Sequence, residues 1–179
     1  MKMFVKGCTV LGLAVAILAQ PAMAQDTNSP GPTENWRPVS AQAIQDRVAI
    51  EALCIEYFYR LDHQLAAKLP ELFEPDGLMI MADGLELRGR EAIAEFYAAR
   101  PATTITRHVS TNLRIQMLGP DHARILRTFT YYRGEEPVGD VLPTARPAVA
   151  EYEEEVRRGK DGLWRFSYRH PVSIFDPHR

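Results

Sequence analysis

The order of hydrophobic patterns constrains this chain most. One long helical pattern comes first, and the long β-rich segments come after it. Ser40 is placed to cap a helix running to about Leu61, along which Ile44, Val48, Ala52, Ile55 and Tyr59 recur at helical spacing. Leu65 to Phe73 continues helically after a break near Asp62-His63-Gln64, with Pro70 opening a new turn. Pro75-Asp76-Gly77 reads as a turn, and Leu78–Met81 and Leu85–Leu87 as a hairpin around Ala82-Asp83-Gly84. A second helix spans Arg90–Ala99, with Ile93, Phe96 and Tyr97 on its core face. Strands follow over Thr104–Leu118, His122–Tyr132, Val149–Arg157 and Leu163–Ile174, with a proline-rich loop from Gly134 to Pro147. This order predicts an α+β fold in which a curved mixed sheet wraps a long N-terminal helix and leaves a conical cavity open at one end.

The start of the chain reads as an export signal. Lys2 and Lys6 precede the apolar run Thr9–Ala19, and Ala22-Met23-Ala24 is a small-x-small cleavage site. The run is shorter than the roughly 20 residues needed to span a bilayer. Residues 1–24 are therefore expected to be removed, giving a periplasmic or secreted protein without stable membrane insertion. A flexible linker at 25–39, one domain at 40–175 and a tail at 176–179 complete the division. The formal net charge of −2 falls further once Lys2 and Lys6 leave, and no basic cluster is present, which argues against nucleic acid as a partner. Cys54 is expected to be a small core residue. His63, His108, His122, His170 and His178 lack metal-ligand spacing, and no glycine-rich loop opens a helix in a phosphate-binding pattern, so neither a metal nor a cofactor is expected.

Two residues stand out chemically. Asp62 follows Phe58 by one helical turn, which sets a carboxylate on an apolar face at the negative end of a helix, where ionisation is disfavoured. It is either an acid held for proton transfer or for orienting a histidine, or a cap for the next segment. His108 shares a strand face with Ser110, Asn112, Arg114 and Gln116, while Val109, Leu113, Ile115 and Met117 make the other. That polar face either meets water or lines the cavity at its start. Tyr59 either bonds into the pocket or packs in the core, and Asn112 is a second candidate for contact with substrate. Trp164, Phe166 and Tyr168 alternate as core residues, and the acidic run Glu151 and Glu153–Glu155 is expected to be a solvated face.

The strings at Tyr57–Gly77, Leu87–Tyr97, Arg107–Ile115 and Asp161–His170 together resemble the SnoaL-like polyketide cyclase group, which is related to scytalone dehydratase and belongs to the nuclear transport factor 2-like superfamily. The resemblance runs from about Ala41 to Phe175. It implies an α+β cone with a hydrophobic pocket, a homodimer or homotrimer, and a small, largely apolar ligand. Asp62 matches that group's aspartate at the end of the first helix, and His108 its strand histidine, which the family points into the cone. Arg169 fits an arginine that follows the family's tryptophan and is expected to make a structural ion pair. A second histidine and the pocket tyrosines of scytalone dehydratase have no counterpart that can be placed. Ketosteroid isomerases carry their base carboxylate on the first strand, where Ile80-Met81-Ala82 is apolar here. The resemblance thus implies a cofactor-free lyase (dehydratase) or isomerase using Asp62 and His108. The alternative is a non-catalytic periplasmic ligand-binding or accessory protein on the same cone.

Overall fold

The computed structural model describes residues 40–134 and 147–176. The expected leader and linker, most of the proline-rich loop and the last three residues lie outside the described residues. Helix α1 (Ala41–Asp62) begins where Ser40 accepts a hydrogen bond from the Ala43 N–H. The expected helical continuation follows as a 3₁₀ segment (Ala66–Leu72), with Pro70 inside it. Next come β1 (Phe73–Ile80), β2 (Glu86–Arg88) and α2 (Gly89–Ala98). The remaining strands are β3 (Ile105–Gly119), β4 (His122–Gly134), β5 (Ala148–Arg158) and β6 (Trp164–Phe175). They form one mixed sheet in the order β2-β1-β6-β5-β4-β3, in which β1 runs parallel to β6 and the other pairs are antiparallel.

The sheet buries a different stripe of α1 from the expected one. Ile44, Val48, Ile55 and Tyr59 are exposed. Ile50, Leu53, Cys54, Tyr57, Phe58 and Leu61 are buried, and Asp62 continues their line. The helix carries two apolar stripes. The one with Tyr57 and Phe58 offers more area, because an aromatic side chain removes some 150–250 Å² from water. Tyr57 meets Phe73 and Phe166 edge-on with centroids 6.2 and 5.9 Å away, which locks the helix to β1 and β6.

Three bulges then reset which side chains face the helix. Pro75-Asp76-Gly77 is not a free turn but an irregularity inside β1, where pairing with β6 shifts between Phe73 and Leu78. A Cβ at Gly77 would lie 2.9 Å from the Phe166 carbonyl oxygen, so glycine permits that close approach. In β3 the register shifts between Thr111 and Arg114, with Asn112 in the left-handed region at φ 54°. Before this bulge the even-numbered Thr106 and His108 face inward, and after it the odd-numbered Ile115 does. In β6 the shift between Glu155 and Val156 leaves Ser167 without an opposite residue. Trp164 and Phe166 are core residues as expected, but beyond Ser167 the inward position passes to Arg169, and Tyr168 is only half-buried.

Candidate active site

The inward-facing part of β3 brings His108 against the end of α1. Its Nδ1 lies 2.7 Å from Asp62 Oδ1, and its backbone N–H donates to Asp62 Oδ2 at 2.8 Å. The Thr106 hydroxyl donates to Asp62 Oδ1 at 2.7 Å. Arg107 Nη1 donates to the Asp62 carbonyl at 2.9 Å, which satisfies a carbonyl at the helix end. The His108 ring stacks on Phe58 at 4.3 Å between centroids and 11° between planes. The two side chains are only 4% (His108) and 7% (Asp62) exposed.

Burial pushes the Asp62 pKa upward, but the hydrogen bonds from His108 and Thr106 and the neighbouring imidazole outweigh it and hold it below the ordinary carboxylate value. Burial pushes the His108 pKa down. The Asp62 carboxylate opposes this, the charges of Arg169 and Arg127 reinforce it, and the result lies below 6.5. At neutral pH the pair is therefore a carboxylate and a neutral imidazole. An ionised Asp62 only accepts, so Nδ1 carries the proton and Nε2 keeps its lone pair.

His108 lines a cavity of about 330 Å³. Phe96, Phe129, Tyr131, Met79 and Met81 supply much of its wall, and Asp62 stands behind His108. A larger groove of about 550 Å³ between α1 and the β5–β6 turn contains neither dyad residue. Two phenols that the spacing did not single out as site residues also line the cavity. The Tyr57 and Tyr97 hydroxyls are 2.5 Å apart, and each lies 3.9 Å from the Met79 sulfur. Burial pushes the Tyr57 phenol up to about 12 and Tyr97 well above its usual value, so both stay protonated. One hydroxyl hydrogen makes the mutual bond, and the other is left to the Met79 sulfur, a weak acceptor. The helical period pointed to Tyr97 as a core residue, and Tyr57 falls on the stripe that the sheet buries.

Tyr59 and Asn112 sit elsewhere. Tyr59 is 51% exposed and stacks on His63, because it belongs to the outward stripe of α1. Asn112 is exposed in the β3 bulge, which turns it away from the face of His108. The acidic run is not a solvated face throughout. Ala150, Tyr152, Glu154 and Val156 alternate inward on β5, and Glu154 is 1% exposed. Glu154 accepts from Arg127 Nε at 3.0 Å and Nη2 at 3.1 Å, and from Arg169 Nη1. Arg169 thus makes an ion pair, and its guanidinium lies 3.5 Å from the Tyr57 ring centroid and 3.8 Å from that of Tyr152. Among the described residues, no group of three or more His, Cys, Asp or Glu residues is placed to hold a metal ion, and no helix is long and apolar enough to cross a membrane.

In this chain a curved sheet clasps a long helix, an Asp–His pair stands at the helix end and a cavity lies before it. The model of the SnoaL-like domain matches residues 42–170, and the chain belongs to that family. A scytalone dehydratase-like protein from Novosphingobium aromaticivorans superposes with a TM-score of 0.63 at 20% identity, covering 75% of this chain and 87% of its own. A hexachlorocyclohexane dehydrochlorinase, LinA type 2, gives 0.64 at 19% identity, with 75% and 88% covered. Rv3472(D26N) from Mycobacterium tuberculosis, whose function is unknown, gives 0.63 at 25%, with 76% of each chain covered. No curated protein is similar enough in sequence to match. At these identities the likeness establishes the α+β cone fold.

Proposed function

We propose that this protein is a cofactor-free enzyme for proton-transfer chemistry, either an elimination that acts as a dehydratase or an isomerisation, on a small molecule held in the 330 Å³ cavity. The observation that carries this reading is the 2.7 Å Asp62–His108 contact, which commits Nδ1 and leaves Nε2 toward the cavity. Nε2 removes a proton from the carbon beside a ligand carbonyl. The electron pair becomes a C=C bond, and the β-hydroxyl leaves with the proton that the imidazolium returns, as water. In an isomerisation the same proton returns to a different carbon. Asp62 stabilises the imidazolium and fixes the ring, a positioning role. A proton carrier so placed accelerates a reaction by about 10²–10⁴-fold. The O–H of the Tyr57–Tyr97 pair that now meets only the weak sulfur acceptor of Met79 is a neutral donor that a ligand oxygen would take over. The names of two similar structures, a dehydratase-like protein and a dehydrochlorinase, both denote eliminations, which supports the choice of reaction.

The test is a panel of β-hydroxy ketones and β,γ-unsaturated ketones, followed by absorbance of the conjugated product. Wild-type turnover that falls in His108→Ala and Asp62→Asn supports the reading. Turnover unchanged in both variants rejects the assigned roles, and saturable binding of the panel without turnover favours a binding protein.

We also propose that the chain is exported and loses residues 1–24, a reading supported by Lys2, Lys6, the apolar run and Ala22-Met23-Ala24. Cell fractionation with an intact mass decides it, and a full-length chain retained in the cytoplasm overturns it. The family resemblance suggests a homodimer or homotrimer, which light scattering on the purified protein measures.

A further inference from the structure

The cavity wall is uneven in charge. Among its described lining residues there is no carboxylate, yet Arg100 and Arg133 both contribute. Arg100 follows α2, which aims its side chain back toward β3. Its Nη2 donates to the Thr104 carbonyl at 3.3 Å and the Thr106 hydroxyl at 3.2 Å, both neutral acceptors. Its Nε is buried and has no hydrogen-bond partner among the described residues. A guanidinium with five donors in a fixed fork is thus half-buried with two neutral acceptors among the described residues. Leaving such a group short of partners is costly, and an anionic oxygen is the acceptor that offsets the cost best.

We infer that Arg100 forms a subsite for an anionic oxygen, and that the natural ligand is an amphipathic molecule with an apolar body and a carboxylate. This rests on the cavity being the ligand site. The apolar body fits against Phe96, Phe129 and Met81, and the acid group lies at Arg100 with Arg133 beside the same opening. The placement also links the subsite to the chemistry. Arg100 donates to the Thr106 hydroxyl, which in turn donates to Asp62, which holds His108. The arginine that anchors the acid group is therefore a single hydroxyl away from the dyad, and the ligand's body runs past the imidazole. Nothing in the sequence signals this. Arg100 lies just beyond the expected second helix, where a basic residue is ordinary.

The experiment is equilibrium binding at low salt of 2-naphthoate and its uncharged methyl ester, two probes of the same apolar body. The wild-type protein is expected to bind the acid about tenfold or more tightly, as a charge-assisted bond implies. Arg100→Met, which keeps an unbranched apolar stem, should bring the ratio close to one while the ester binds as before. Arg100→Lys should keep part of the preference, and Arg100→Gln supplies a second neutral variant should the methionine variant fail to fold. His108→Ala should leave the ratio intact. Equal binding of acid and ester by wild type, or an undiminished preference in both neutral variants, overturns the subsite while the cavity stands. Failure of both probes to bind overturns the subsite and the cavity reading together. A preference that disappears in the neutral variants, in a protein that turns nothing over, supports the subsite and removes only the catalytic reading.

Discussion

Two buried ionic clusters lie within a few residues of each other and differ in where their uncommitted atoms lie. Among the described residues, Arg169 Nε and Nη2 lack hydrogen-bond partners away from the cavity lining, whereas His108 stands in it. The pair Asp62–His108 and the triad Arg127–Glu154–Arg169 are both nearly inaccessible, and both touch Phe58. In the triad, Glu154 is held by both arginines, and the arginine charges rest on the faces of Phe58, Tyr57 and Tyr152. Such cation–π contacts are worth about 2 kcal/mol when desolvated, which offsets part of the cost of burying the charge. The triad does not line the cavity. In the pair, one nitrogen of His108 is committed and the other is not. Burial alone therefore does not mark a reactive group; an uncommitted atom facing a cavity does. The triad also acts on the pair, because the charges of Arg127 and Arg169 help keep His108 neutral.

The comparison breaks most visibly at His108. On a substrate from the panel, His108→Ala should lower kcat by about 10²–10⁴-fold. Denaturant unfolding should change less than when the triad is broken, because Asp62 keeps its hydrogen bonds from the Thr106 hydroxyl and the backbone N–H at position 108. Asp62→Asn should also lower kcat and should move the acid limb of the pH profile to lower pH, since the carboxylate is what raises the imidazole pKa against burial. An unmoved acid limb would show that Asp62 does not act through His108.

Glu154→Ala should produce the opposite pattern, a loss of about 3–5 kcal/mol in denaturant unfolding, because it leaves two buried arginines unpaired. Glu153→Ala, one residue away and exposed, should stay within about 0.5 kcal/mol. Similar losses at both positions would mean that the triad is not a structural unit.

Acid should weaken the fold through the pair. The His108 pKa is lower in the folded state than the unfolded value of 6.5, so the unfolded chain binds the proton first. Its contribution is fully present above pH 6.5 and is lost as pH falls through the depressed folded value. Asp62, lowered from 3.8, repeats the loss below that pH. Unfolding midpoints across pH, set beside an NMR titration of His108, measure this. A histidine that titrates above 6.5 would reverse the sign.

A smaller effect than that of Glu154→Ala is expected at the bulge that aims His108. Asn112→Val forces a β-branched residue into the left-handed region, at about 1–2 kcal/mol. Asn112→Gly should be nearly neutral. A measurable fall in turnover in the valine variant alone would show that the bulge sets the position of the histidine.

Much of this molecule was determined locally. The Ser40 cap, the α1 period, the Ala82-Asp83-Gly84 turn and the alternation of the late strands are all short-range, so the elements could be read from neighbours in sequence. Inward alternation on β5 even carried Glu154 between Tyr152 and Val156, although its acidic neighbours made the whole run look solvated. The tertiary structure decided what depends on comparing distant surfaces. It chose the Tyr57–Phe58 stripe of α1 over the Ile44–Tyr59 stripe, because the sheet buries whichever face offers more area. It also decided which strand faces look inward, since one extra residue at a bulge reverses the alternation beyond it. Without the bulge at Asn112, the alternation shared by His108 and Ile115 could not set both toward the helix. Asp62 was recognisable alone as a carboxylate in an unfavourable place. Its partner was fixed only when β3 was bent across the end of α1.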